Sequence, residues 1–271
     1  MRLISICPSN TELVAYLGLT SSLIGVDNYS DWPRDIQALP KLGPDLNIDM
    51  EKVKELQPDL VLASLSVPGM ERNIEELKKR NIPYVIVPNP KTLTEVADSL
   101  LFVGEVTNTK DKAKQLSIQF HQILEQYRSL SEQVKKPTTI YWEWWAKPIF
   151  TPGATNWITE ISRLAGGRNV FEDMPQSSVK TDWEDVKKRN PDMICIIWVG
   201  VQTSKINPKV ILKRPDANEM TAIQTNQLHI LDEPLFCRPS PRLLLGLNKI
   251  ASILHPEIYP PFNEMIDPLL D

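Results

Sequence analysis

Short apolar runs alternate with amphipathic stretches through the first hundred residues. Arg2–Ile6, Leu23–Val26, Asp59–Ala63 and Tyr84–Val87 read as buried strands. Between and after them, roughly Asn10–Leu17, Asp49–Leu56, Glu71–Arg80 and Thr92–Val103 carry helical spacing. Strands that alternate with helices predict a parallel sheet covered by helices. The pattern then changes. From Thr109 to Val134 the apolar or aromatic positions are Leu116, Phe120, Ile123, Tyr127, Leu130 and Val134, spaced 4, 3, 4, 3, 4. This predicts one helix of about 26 residues and about 39 Å, with Asp111 in its first turn and Lys135-Lys136-Pro137 at its end. A coiled-coil segment would show the same stripe, but three heptads inside a globular chain favour a packed strut.

The segments on either side of that helix repeat one another. Asp49-Met50-Glu51-Lys52-Val53-Lys54 followed by Pro58-Asp59-Leu60-Val61-Leu62 matches Asp182-Trp183-Glu184-Asp185-Val186-Lys187 followed by Pro191-Asp192-Met193-Ile194-Cys195. Each position of the second copy lies 133 residues after its partner (182 against 49, 191 against 58). The shared pattern is an N-capped helix, a proline stop and a buried strand. Ser9-Asn10-Thr11-Glu12-Leu13 opens a helix ending at Gly18, as Thr155-Asn156 opens one ending before Gly166-Gly167. So long a period means two similar lobes rather than a solenoid. The expected architecture is α/β: two lobes, each a parallel sheet flanked by helices, joined by one long helix, with 1–106, 107–136 and 137–271 as lobe, strut and lobe.

Composition narrows the chemistry. The chain of 271 residues carries a net charge of −4, which excludes a generally basic nucleic-acid binder. Glycine is scarce (10) and proline abundant (23), and no G-x-G-x-x-G or G-x-x-x-x-G-K-[ST] loop occurs. Cys7, Cys195 and Cys237 are far apart, form no C-x-x-C motif and read as core thiols. No apolar run is long enough for a membrane span, and the first residues read as a strand rather than a signal peptide. The expectation is a cytoplasmic protein, or an extracytoplasmic one from which an export segment has been removed.

His121, His229 and His255 lack metal-ligand spacing, there is no G-x-S-x-G elbow, and no catalytic constellation stands out. Aromatic residues say more. Tyr141-Trp142-Glu143-Trp144-Trp145 and Trp198 end predicted strands, while Tyr29 and Trp32 follow the Leu23–Val26 strand. Ligands of open α/β sheets bind beyond the carboxyl ends of strands, so a cleft is expected there, although any one tryptophan is as well explained by the core. Arg238-Pro239-Ser240-Pro241-Arg242 opens a helical run from Leu243 to Leu254, where an arginine either pins a ligand or stabilises the loop.

Three N-terminal segments carry a resemblance: Cys7-Pro8-Ser9-Asn10-Thr11-Glu12-Leu13, Tyr29-Ser30-Asp31-Trp32-Pro33, and Lys52-x-x-Glu55-Leu56-x-Pro58-Asp59-Leu60-Val61. With Ile149-Phe150-Thr151-Pro152-Gly153 and Phe236-x-x-Pro239-Ser240-Pro241-Arg242, they resemble the helical-backbone (class III) substrate-binding proteins of ABC importers. That family takes up vitamin B12, iron–siderophores and haem, and the resemblance is nearest to its B12 receptors. It implies a monomer that is not an enzyme and needs no metal or separate cofactor. It implies a corrinoid (cobalamin-like) ligand held between the lobes and presented to ABC permease subunits. Tyr29, Trp32, Ser64 and Leu65 would form the N-lobe wall; Trp142, Trp144, Trp198, Phe236 and Arg242 the C-lobe wall. Glu71 and Glu219 would dock to permease arginines. Scattered histidines argue against a bare-metal receptor, and few cationic residues apart from Arg72, Arg238 and Arg242 argue against an anionic siderophore. Iron–siderophore or haem is the second ligand reading. A two-lobed enzyme such as a glycosyltransferase or tetrapyrrole chelatase, and an adaptor that binds only protein, are the competing classes.

Overall fold

The computed structural model describes residues 1–270. In the N-terminal lobe, β1 (Leu3–Ser5), α1 (Pro8–Tyr16), β2 (Leu23–Val26), α2 (Met50–Glu55), β3 (Leu60–Ala63), α3 (Glu71–Lys79) and β4 (Tyr84–Ile86) precede α4 (Leu93–Val106). The strands form a parallel sheet in the order β2-β1-β3-β4. A long helix, α5 (Lys110–Ser131), leads to the second lobe. There β5 (Thr138–Glu143), β6 (Trp145–Ala146), β7 (Ile149–Pro152), α6 (Trp157–Leu164), β8 (Gly167–Asn169), β9 (Ser178–Thr181), α7 (Trp183–Arg189) and β10 (Met193–Ile196) come first. They are followed by α8 (Lys209–Leu212), α9 (Thr221–Gln224), β11 (Leu228–Ile230), α10 (Glu233–Phe236) and α11 (Leu243–Leu254).

The second parallel sheet runs β8-β5-β10-β11, the order of the first with β5 in place of β1. The duplication is therefore structural: β3 and β10 are related by the sequence offset, and the helix before each is capped alike. Asp49 accepts the Lys52 amide at 3.2 Å and Asp182 the Asp185 amide at 2.9 Å. The C-terminal lobe adds an antiparallel sheet, β6-β7-β9, that extends beyond the end of β5.

Strand parity partitions the core. On β5, Ile140 and Trp142 face a large apolar cluster shared with α5, while Tyr141 faces a second cluster beneath α7. On β10, Met193 and Cys195, with Ile197 just after it, face the first cluster, and Ile194 and Ile196 the second. The shared cluster runs without a break from Leu3, Leu13 and Leu62 through Leu116, Phe120 and Tyr127 to Trp142, Ile161, Phe236 and Leu247. The strut helix is 22 residues long, about 33 Å, and ends three residues before Val134. Its buried face is wider than the sequence stripe, since Ala113, Ser117 and Leu124 are buried beside Leu116, Phe120 and Tyr127. It lies against α4 on one side and α6 on the other. Gly104 permits the first approach: a Cβ there would stand 2.4 Å from the Cβ of Ala113.

Candidate functional site

The carboxyl ends of the N-lobe strands are tied together by buried polar groups. The Thr11 hydroxyl donates to Ser5 Oγ at 2.8 Å and lies 2.7 Å from Ser30 Oγ, which donates to Asp27. Asp27 also accepts the Tyr29 and Ser30 amides at 2.8 and 3.0 Å. Burial pushes its carboxyl above the ordinary value, against the pull of those hydrogen bonds. Asn10 donates to the Ala63 carbonyl at 3.0 Å, joining α1 to the end of β3. The two N-lobe motifs thus fix the shape of this end of the sheet. They leave Tyr29 48% exposed, with Leu65 and Val67 beyond β3 also exposed. Ser64 is buried and accepts the Ser66 amide at 3.1 Å, so it builds the turn that presents Leu65.

Across the lobe boundary lies an ion cluster. Glu12, 1% accessible, accepts from Arg238 at 3.3 Å, from Arg242 at 3.1 Å and from the Ser240 hydroxyl. Arg238 also grips Asp31 with two nitrogens, at 2.5 and 3.2 Å, and stands 3.4 Å from Glu233. The Arg242 guanidinium lies over the Trp32 ring, 4.9 Å from its centroid, and Trp32 packs on Tyr16 at 5.4 Å. Arg242 and Trp32 therefore hold the lobes to one another before any ligand is considered. Burial favours loss of charge from Arg238, yet the surrounding carboxylates outweigh it and hold its guanidinium firmly protonated.

The C-lobe wall departs from expectation. Trp142 and Phe236 are fully buried, their rings tilted against each other with centroids 5.3 Å apart in the shared core, and the Trp142 indole donates to Ser162 Oγ at 2.9 Å. They have no face to offer a cleft, because Trp142 shares the parity of Ile140 and points at the helical core. Trp144 is half-buried against Trp157 at 6.1 Å. The exposed aromatic of this segment is its neighbour Trp145, 43% accessible, which the sequence places in the aromatic run but the resemblance leaves out of the wall. Trp198 is half-buried and donates to Glu143 at 3.1 Å. Glu143 is wholly buried and also holds Arg214 at 2.6 and 2.9 Å and the Tyr141 hydroxyl at 2.8 Å. Val199, just after it, is exposed, and its amide donates to the Trp144 carbonyl at 3.1 Å. Glu233 lies near this loop, where the Gly200 backbone favours its charged form against burial. Through Glu233, Arg238 and Asp31 this loop is linked in a short chain of contacts to the loop that carries Tyr29.

Both rims therefore meet at the same end of the molecule. Neutral side chains stand free on them, and the arginines between are held by carboxylates. Arg72 lies on α3 beside Glu76, outside this cluster. Glu71, exposed at the head of α3, accepts the Gly69 amide at 2.7 Å. Glu219 is exposed at the edge of a shallow polar depression lined by Glu184, Lys187, Asn190 and Asp216. The histidines carry none of this: His255 is buried against the Gly166 carbonyl at 3.1 Å, and His121 is exposed on α5.

The periplasmic binding protein profile matches residues 3–235. The chain belongs to that family. It is 29% identical over 264 residues to the uncharacterized ABC transporter substrate-binding lipoprotein YvrC of Bacillus subtilis, covering 95% of this chain and 81% of that protein. It is 26% identical over 254 residues to the vitamin B12-binding protein of Vibrio cholerae, covering 93% and 88%. Among solved structures, a possible iron-binding periplasmic solute-binding protein from Staphylococcus epidermidis superposes with a TM-score of 0.80 at 25% identity, over 93% of this chain and 97% of that one. The Vibrio cholerae vitamin B12-binding protein BtuF gives 0.73 at 25%, over 93% and 96%. The haem-binding protein RhuT of Roseiflexus gives 0.83 at 20%, over 94% and 98%, a likeness of fold. The family consists of solute-binding proteins rather than enzymes, and this periplasmic binding protein is the substrate-binding component of an ABC importer. Among the described residues no helix is long and apolar enough to cross a membrane.

Proposed function

We propose that this binding protein holds a corrinoid of the cobalamin type between its lobes and hands it to an ABC permease on the outer side of the membrane. One observation carries the reading. The cleft rims present neutral flat or apolar groups (Tyr29, Leu65, Trp145, Trp198, Val199), while Arg238 and Arg242 are committed to Glu12 and Asp31. A corrin ring rimmed by neutral amides suits such walls, which offer aromatic faces with single polar edges. An anionic chelate calls for free cations instead. The vitamin B12-binding relative, aligned over nearly the whole chain, supports the same choice. Glu71 and Glu219 are both exposed, one per lobe, and serve as the permease contacts, setting register more than affinity.

Haem is the second reading. The half-exposed Tyr29 phenol favours it, because tyrosine is an axial ligand of haem iron. Titration with cyanocobalamin, cobinamide, hemin and a ferric siderophore, followed by tryptophan fluorescence and calorimetry, separates the two. One-to-one corrinoid binding at micromolar affinity or tighter is expected. Binding of hemin or the siderophore alone would keep the importer role and overturn the ligand, and a Tyr29→Phe loss of the hemin spectrum would assign the iron ligand.

A further inference from the structure

The inter-lobe cluster contains more acid than base. Glu12, Asp31 and Glu233 stand against Arg238 and Arg242, so the ionised cluster carries one negative charge in excess. The charges are also unequally exposed. Side-chain accessibility is 1% for Glu12, 11% for Arg238 and 13% for both Arg242 and Glu233, but 51% for Asp31. A ligand settling between the lobes therefore meets a carboxylate first, with the guanidiniums screened behind it. The adjoining cation does not reverse this. Lys41 donates to the Ser30 carbonyl at 2.6 Å and keeps its charge, but its loop also carries two acids, the buried Asp27 and Asp45 near it. Asp232, next to Glu233, is matched by Lys249 at 2.5 Å.

We propose that Asp31 and Glu233 are specificity-determining residues that keep anionic ligands out of the cleft by occupying Arg238, which would otherwise bind them, while Glu12 holds Arg242. The mechanism is rejection as much as attraction. Two guanidiniums at a lobe interface form a ready carboxylate or phosphate site, and pairing them with fixed carboxylates turns that site into a repulsive one. Glu12 lies too deep to act on a ligand directly. It anchors both arginines, and the exposed Asp31, with Glu233 behind it, sets the sign of the surface.

The inference rests on the cleft's being the ligand site, and its test separates that premise from the charge argument. Cobinamide and dicyanocobyrinic acid share one ring but carry amides and carboxylates respectively. The wild-type protein should bind cobinamide at least about tenfold more tightly than the acid at low salt. Asp31→Asn and Glu233→Gln should each narrow that ratio by about threefold, and the double variant by about tenfold, with the gain fading at 0.5 M salt. Asparagine and glutamine keep an acceptor for Arg238, and thermal melts by circular dichroism check that each variant folds. An unchanged ratio in folded variants, or a wild-type preference for the acid, overturns the inference. If the wild type binds neither corrinoid, the corrinoid reading falls. Hemin then carries the test: tighter binding by Asp31→Asn than by wild type sustains the charge inference, and equal binding sinks it.

Discussion

At the scale of single residues, aromatic side chains of one type divide into two populations that composition cannot separate. Trp142 is wholly enclosed and hydrogen-bonded to Ser162, whereas Tyr29 is half exposed on a loop held by Asp27. Trp142→Ala should cost about 3–5 kcal/mol of stability in urea denaturation. Tyr29→Ala should change stability by less than about 1 kcal/mol while weakening the cleft ligand by about 1–3 kcal/mol. Equal stability losses would mean that Tyr29 is also core. Asp27 allows a second prediction, with a definite sign. Burial raises its carboxyl above the ordinary 3.8, so the folded state binds the proton more tightly than the unfolded chain. Its contribution is then full below the unfolded value and is lost as pH rises through the folded one. The melting temperature of wild type relative to Asp27→Asn should therefore fall as pH rises upward from about 4. A gap that widened with pH would show that the hydrogen bonds from Ser30 and Tyr29 outweigh burial.

At the scale of elements, much of the architecture is legible in the sequence because caps and stops are local. Asp49 and Asp182, with the prolines that follow, mark the repeated helix–strand unit, and β3 and β10 begin where the offset puts them. The parity of Trp142 is equally local in principle, since Ile140 two residues earlier faces the same way, yet the sequence does not say which face of β5 is the helical one. Pairings such as Glu12 with Arg238 or Glu143 with Arg214 span 226 and 71 residues, and no local pattern announces them. The α4–α5 contact is another such case. Alanine normally stabilises a helix interior over glycine by about 0.5–1 kcal/mol. At Gly104 the new methyl would meet Ala113 Cβ at 2.4 Å and the Thr109 carbonyl at 3.3 Å, too close to tolerate. Overpacking costs about 1–3 kcal/mol and wins, so Gly104→Ala should lower the denaturation midpoint. A rise would mean that the two helices separate freely.

At the scale of the molecule, two lobes with separate sheets share one apolar cluster through α5, and the Glu12 cluster adds a polar tie across the boundary. Further ties cross the boundary. Leu93 at the head of α4 donates its amide to Glu160 of α6 at 2.7 Å, and the Tyr16 hydroxyl of α1 reaches Asp267 near the C-terminus at 2.6 Å. A lobe that unfolded alone would strip its partner's half of this core, so the lobes should melt together. Trp32 is the N-lobe tryptophan and the other six lie in the C-lobe, which makes fluorescence a C-lobe probe against far-UV circular dichroism for the whole chain. The two should report one midpoint, with a calorimetric to van't Hoff enthalpy ratio near 1. Glu12→Ala should lower that midpoint sharply, because two buried guanidiniums lose a shared acceptor at a cost of about 3–5 kcal/mol. The transition should stay single, since the apolar cluster is untouched. Two resolved transitions in the wild type would show that the boundary is a joint rather than a core, and a wide opening of the lobes would then precede ligand capture. A single transition instead fits a receptor whose lobes move little, so that the walls and the charge between them are already in place when the ligand arrives.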